Sequence, residues 1–285
     1  MAQGCSARMT AAAGGLTTPT GSARGVDGVY HRRMRLAGLL IDLDGTLYVG
    51  GEPVAGAREA VASLKDSGLA IRYVTNTTRE PRRLVCERLL SLGFEVEERE
   101  IFTPARAAAG KIGPRSCFAL VDGSLLEDLE GVNLTDGRPD YVLVGDLGEG
   151  FTYERLNLAF RHLMEGADLM ALQKNKFWRT EGGMSLDAGP FVAALEYASG
   201  KRASVVGKPE QDFFRLALDD LGLMANQVGM VGDDAEADVG GARKAGLLGI
   251  QVRTGKWQAD ASEADLVLDS IADLPGVVKS WGGEG

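Results

Sequence analysis

The stretch Leu36-Ala37-Gly38-Leu39-Leu40-Ile41-Asp42-Leu43-Asp44-Gly45-Thr46 decides how the chain is read. An apolar run of strand length stops at two carboxylates separated by one residue. A run this short, bounded by a turn signal, suits a strand buried on both faces. Gly45 permits a sharp turn immediately after the second acid. The chain outward from this point alternates strand and helix patterns. Residues 55–67 put Ala57, Ala60, Val61 and Leu64 on one helical face, and Gly68 marks a stop. Residues 69–74 read as a second strand ending at Thr75-Asn76. A helix is expected next, with Thr78 as its cap, Pro81 in its first turn and Gly93 after its end.

The C-terminal part repeats this pattern. A strand at 203–206 leads into Gly207-Lys208-Pro209 and then a helix carrying Phe213, Phe214, Ala217 and Leu221. A strand at 227–231 ends at Gly232-Asp233-Asp234, a helix runs through 239–244, and 248–252 is again a strand. Buried strands alternating with helices predict an α/β protein with a Rossmann-like, doubly wound parallel sheet. Residues 104–188 differ. Their Asp122-Gly123, Asp136-Gly137 and Gly148-Glu149-Gly150 turns, with strand and helix signals of their own, predict an inserted α/β lobe. The expected division is a leader at 1–35, a core at 36–103 and 189–279, and the insert at 104–188.

The leader is rich in Gly, Ala, Ser and Thr and carries five arginines against Asp27. It lacks the apolar segment of a secretory signal. Its composition fits a disordered extension, an over-extended start with Met34 as the true first residue, or a transit peptide. The whole chain has 285 residues and a net charge of −9, which argues against nucleic acid as the main partner. No apolar run approaches the roughly 20 residues of a membrane helix. Cys5, Cys86 and Cys117 are too far apart for a zinc motif and odd in number, so a reducing, cytoplasmic setting is expected. With only His31 and His162, histidine-based metal sites and Ser-His-Asp chemistry are disfavoured.

Polar residues recur where strands end: Asp42 and Asp44, Thr75, Lys208, Asp233. Open parallel sheets bind ligands outside the carboxyl ends of their strands, so these residues converge on one crevice. In this order they resemble the four motifs of the haloacid dehalogenase (HAD) superfamily. Asp42-Leu43-Asp44-Gly45-Thr46 is similar to the first motif and Val74-Thr75-Asn76 to the second. Gly207-Lys208-Pro209 is similar to the third, and Gly232-Asp233-Asp234 with Asp238 to the fourth. The insert between the second and third motifs resembles the α/β cap of the subclass that holds NagD-type and pyridoxal phosphatases. Residues 189–198 and 232–242 extend the likeness within that subclass.

The resemblance implies a phosphatase that removes phosphate from a small phosphorylated molecule. Asp42 would be the nucleophile and form an aspartyl-phosphate, and Asp44 the general acid and then base. Lys208 would stabilise shared charge, while Thr75 and the Asn76 backbone would bind phosphoryl oxygens. Mg²⁺ would be the cofactor, held by Asp42, the Asp44 backbone carbonyl and Asp233, with Asp238 orienting metal-bound water. Asp234 is open between that last role and a helix cap. Gly50-Gly51 is open between a mobile flap and an ordinary turn.

In the insert, Lys174-Asn175-Lys176-Phe177-Trp178-Arg179 reads either as a contact to an anionic or planar leaving group or as a strand with a solvated basic face and a packed aromatic face. Met164, Met170, Met184 and Met230 read as core filler. The stretch 249–256 superficially resembles a phosphate loop, but its glycine spacing is wrong and Trp257 stands where Ser or Thr belongs. The acids around 122 and 136 do not alternate as a calcium loop requires. A dehalogenase is disfavoured by Asp44 and Asp233. A phosphotransferase or a non-catalytic binding protein on the same scaffold remain alternatives, and a homodimer is left open.

Overall fold

The computed structural model describes residues 36–180, 182–258 and 263–282; the leader, with Cys5 and His31, lies outside them, as does the Arg179 side chain. β1 (Gly38–Asp42) is buried throughout. A small hairpin follows, β2 (Tyr48–Val49) and β3 (Glu52–Pro53), turned by Gly50 and Gly51 at φ of 59° and 87°. Two successive positive φ values suit a two-residue hairpin turn and explain the glycine pair. α1 (Ala57–Asp66) buries Ala57, Ala60, Val61 and Leu64, the face its sequence spacing predicts. β4 (Ala70–Val74), α2 (Arg82–Ser91) and β5 (Ile101–Phe102) come next. Pro81, not Thr78, occupies the N-cap position of α2; Thr78 is buried ahead of the helix.

α3 (Pro104–Ile112) is capped by Thr103, whose Oγ1 accepts from the Arg106 N–H at 3.2 Å. The insert then supplies β6 (Ser116–Leu120), β7 (Asn133–Leu134), β8 (Tyr141–Val144), α4 (Tyr153–Met164) and β9 (Asp168–Ala171). It continues with a hairpin of β10 (Phe177–Thr180) and β11 (Gly183–Leu186), then α5 (Ala188–Ser199) and β12 (Ser204–Val205). The chain ends through α6 (Gln211–Leu221), β13 (Val228–Gly232), a π-helical turn at Ala235–Gly240 that runs into α7 (Gly241–Lys244), β14 (Leu248–Val252), β15 (Leu266–Leu268) and α8 (Leu274–Gly282).

The central sheet has the order β15-β14-β13-β1-β4-β5, and every pairing is parallel. Chain order reverses beside β1, so the carboxyl ends of β1 and β13 flank a topological switch point. The insert forms its own parallel sheet, β12-β9-β8-β6-β7. Its last member corrects the expected division. The strand expected at 203–206 pairs with β9 (Ser204↔Met170, Val205↔Ala171), not with the central sheet. Val192 and Leu195 of α5 pack with Val142, Val144, Ala159 and Leu163. By hydrogen bonding and by packing, residues 189–205 go with the second sheet, and the boundary expected at 188 is too early.

The two sheets share a buried cluster. Leu40, Val74 and Phe102 from the central sheet join Leu143, Met170 and Leu172 from the second, with Ala105, Ala108 and Ile112 of α3 between them. Phe213 of α6 sits in this cluster, edge-on to Phe102 and Phe214 at centroid distances of 5.3 and 5.6 Å. Of the four methionines read as filler, Met170 and Met230 are buried, whereas Met164 and Met184 are exposed. Among the described residues no helix is long and apolar enough to cross a membrane.

Candidate active site

Asp42, Asp44, Thr75, Asn76, Lys208 and Asp233 all line one cleft of about 170 Å³, together with Thr77, Asp234, Ala237, Asp238 and Lys256. A larger open cleft of about 1010 Å³, bordered by α5 and the start of α6, contains none of these carboxylates.

Lys208 is the centre of the small cleft. Its Nζ hydrogen-bonds Asp42 Oδ1 and lies 2.6 Å from Asp238 Oδ1. Its side chain is only 4% exposed and that of Asp238 1%, so water screens these charges little. Burial alone would push the Lys208 ammonium down, but the attraction of Asp238 and Asp42 raises it overall. Burial raises the Asp42 carboxyl against the lowering effect of Lys208. Asp238 is raised chiefly by burial and then by the Asp42 charge. Asp233 is raised by burial, opposed by the Lys256 N–H. Two acids share the buried ammonium, with Asp233 beside them.

Backbone geometry holds Asp233. Its Oδ2 accepts from the Lys256 N–H at 2.6 Å, and its carbonyl accepts from Gln251 Nε2 at 3.0 Å. Gly45, at φ 94°, and Gly255, at φ 60°, close on the same carboxylate: a Cβ at either would lie 2.1 Å from Asp233 Oδ2. The Thr254 hydroxyl donates to the Gly45 carbonyl and ties the two loops together. Asp44 is exposed at the mouth of the cleft, two residues beyond the buried Asp42.

Thr75 Oγ1 accepts from the Thr77 N–H at 3.2 Å. The Asn76 side chain is engaged with the Lys208 backbone, donating to its carbonyl and accepting from its N–H, both at 2.8 Å. Asp234 is the cap: its Oδ1 accepts from the N–H groups of Glu236 and Ala237 at 3.0 and 2.9 Å. Carboxylate oxygens of Asp42, Asp233 and Asp238 lie within 4.8 Å of one another and could hold a cation; the Asp44 side chain is not in that group.

In the insert, 174–179 is not a strand with one basic and one aromatic face. Adjacent strand residues point to opposite faces, so Phe177 and Trp178 cannot share a packed face. Phe177 is 56% exposed, while Trp178 packs under Arg79, whose guanidinium carbon is 3.9 Å from the ring centroid. Lys174 pairs with Glu196 at 2.8 Å, and Lys176 is exposed. Arg79 also pairs with Asp146, linking the loop after β4 to the insert.

Sequence reasoning missed Thr254, Gly255 and Lys256, which it set aside as a failed phosphate loop. The polar turn at a strand's carboxyl end was the available signal. It also missed Arg79 and Asp146, for which the sequence carries no local signature.

Comparison with known proteins agrees with this geometry. A family model described as haloacid dehalogenase-like hydrolase matches residues 39–135, and a related HAD-hydrolase-like model matches 205–274. Haloacid dehalogenase-like hydrolase domain-containing protein 2 of Homo sapiens is 43% identical over 230 residues, covering 80% of this chain and 88% of that protein. Phospholysine phosphohistidine inorganic pyrophosphate phosphatase of Homo sapiens is 38% identical over 245 residues, covering 83% and 90%. Among solved structures, a p-nitrophenyl phosphatase from Archaeoglobus fulgidus superposes with a TM-score of 0.77 at 29% identity, covering 85% of this chain and 99% of that one. The chain belongs to the haloacid dehalogenase-like hydrolase family and is a phosphatase within it.

Proposed function

We propose that the protein is a Mg²⁺-dependent phosphatase of small phosphorylated molecules that works through an aspartyl-phosphate on Asp42. The observation that carries this reading is the pairing of a buried Asp42 with Lys208 beside an exposed Asp44. One carboxylate is poised and shielded; the other is at the cleft mouth, where a leaving group departs.

An Asp42 carboxylate oxygen attacks phosphorus, and the bond from phosphorus to the leaving oxygen breaks. Asp44 gives its proton to that oxygen. Water then attacks phosphorus, Asp44 takes the water's proton, and inorganic phosphate leaves with the Asp42 carboxylate restored. Lys208 offsets the negative charge that nucleophile and phosphoryl group share. Thr75 and the Asn76 main chain hold phosphoryl oxygens.

The donor set suits a hard divalent cation: buried carboxylates outnumber the ammonium they face, and oxygen is the ligand atom Mg²⁺ prefers. Asp42, Asp233 and the Asp44 main-chain carbonyl would hold it, which leaves Asp238 paired with Lys208. Bound there, Mg²⁺ supplies charge neutralisation that lets an anionic nucleophile approach a phosphate dianion. Two relatives carry names that refer to p-nitrophenyl phosphate and to phospholysine, phosphohistidine and pyrophosphate, which supports small phosphorylated substrates as the class.

Phosphate release from a panel of phosphorylated metabolites, with Mg²⁺ and in excess chelator, tests the reading. Release that needs Mg²⁺ is expected. Undiminished release in chelator overturns the metal dependence, and no release from any phosphoester overturns the activity. Asp44→Asn supplies a finer test. It should slow alkyl phosphates on the order of 10²–10⁴-fold, because an alkoxide leaves poorly without a proton. p-Nitrophenyl phosphate, whose phenolate leaves unaided, should lose far less in that step. Equal losses on both would remove the general-acid role from Asp44.

A further inference from the structure

We propose that the side chain of Asn76 is the positioning residue for Lys208, holding the ammonium on the central-sheet acids although its backbone belongs to the segment returning from the insert. This rests on the reading of Lys208 given above. β12 ends at Val205 in the second sheet, and Lys208 follows three residues later, before α6 begins. The acids it serves are elsewhere: Asp42 closes β1, and Asp238 lies in the turn after β13. The Lys208 main chain is thus tied by three residues to the second sheet, while its ammonium serves the central one.

Asn76 ties that main chain to the central sheet as well. It follows β4, the neighbour of β1 in the central sheet. Its Nδ2 donates to the Lys208 carbonyl and its Oδ1 accepts from the Lys208 N–H, each at 2.8 Å. Two bonds to both polar groups of one residue fix its orientation as well as its distance. The fit around the clamp is closed: a Cβ at Gly207 would lie 2.5 Å from the Leu172 carbonyl oxygen and 3.1 Å from Asn76 Oδ1. Gly207 thus lets the end of β9 and the clamp meet on one turn. An aspartate at 76 could accept from the N–H but would repel the carbonyl, and an alanine could do neither.

The test is a double-mutant cycle on Asn76→Ala and Lys208→Met. It reads kcat and KM separately, and also orthovanadate affinity by calorimetry on the Mg²⁺-loaded protein. Asn76→Ala should lower kcat on the order of 10–100-fold, the loss typical when the support of an active-site group is removed, with KM changed much less. Added to Lys208→Met, it should cost almost nothing further in kcat/KM or vanadate affinity, since residues that act through one another are not additive. Asn76→Asp, which preserves size, should fall between wild type and Asn76→Ala and guards against a folding failure in the latter. Multiplying losses, or an Asn76→Ala enzyme with wild-type kcat, would overturn the proposal. A Lys208→Met enzyme with wild-type kinetics and vanadate affinity would instead overturn the underlying role of Lys208.

Discussion

Asp42→Asn should yield a folded protein whose phosphate release has fallen by a factor on the order of 10⁴ or more, because on the proposed mechanism the loss of its nucleophile removes the whole covalent route. The amide is nearly the same size as the carboxylate and can still accept from Lys208 Nζ, so packing at the end of β1 is retained. What it lacks is the charge and nucleophilicity to attack phosphorus. Circular dichroism matching wild type, together with the absence of an acid-stable burst of phosphoenzyme labelling, checks both halves. Turnover within tenfold of wild type in protein free of host phosphatase would remove Asp42 from the nucleophile's role.

Lys208→Met should have the next largest effect, on two observables. Turnover should fall on the order of 10²–10³-fold or more, the range for losing a preorganised charge-stabilising donor. Stability should also fall, because Asp42 and Asp238 lose the cation they share. Stranding a buried charge costs about 3–5 kcal/mol. That cost depends on pH in a definite direction. Both carboxyls are raised above their ordinary value in the folded protein, Asp238 to about 7. A raised acid contributes stability when protonated; that contribution is complete below its unfolded pKa and is lost as pH climbs through the folded one. Without Lys208 both acids are driven higher still. In chelator, the variant's urea midpoint should therefore lie close to wild type near about pH 5 and well below it near about pH 8. An equal deficit at both values would mean that Lys208 contributes through packing and not through its charge.

The central architecture was legible because its signals are local. The run before Asp42, the apolar face of α1 and the acids that close β1 and β13 each lie within a few residues, and strand ends in a parallel sheet gather on one edge. Hence Asp42, Asp44, Thr75, Asn76, Lys208 and Asp233 meet in one cleft. The misreadings concern partners distant in sequence. Nothing in residues 203–206 says which sheet they join; that is settled by β9, more than thirty residues earlier. Lys256 reaches Asp233 through its main-chain N–H, a donor that nearly every residue possesses. The Asn76 side chain was overlooked because the family resemblance assigns a role to its backbone. The exposed Met164 and Met184 show that hydrophobicity alone does not establish burial.

The buried cluster beneath both sheets bears on how the molecule comes apart. Leu40 and Val74 on one side and Leu143 and Met170 on the other are walls of the same apolar interior, with Phe213 and the alanines of α3 filling the space between. Detaching the insert would expose that shared interior from both sides at once, while leaving each sheet a second cluster of its own. Opening the insert alone therefore carries an apolar penalty on both sides, which couples the two sheets in unfolding.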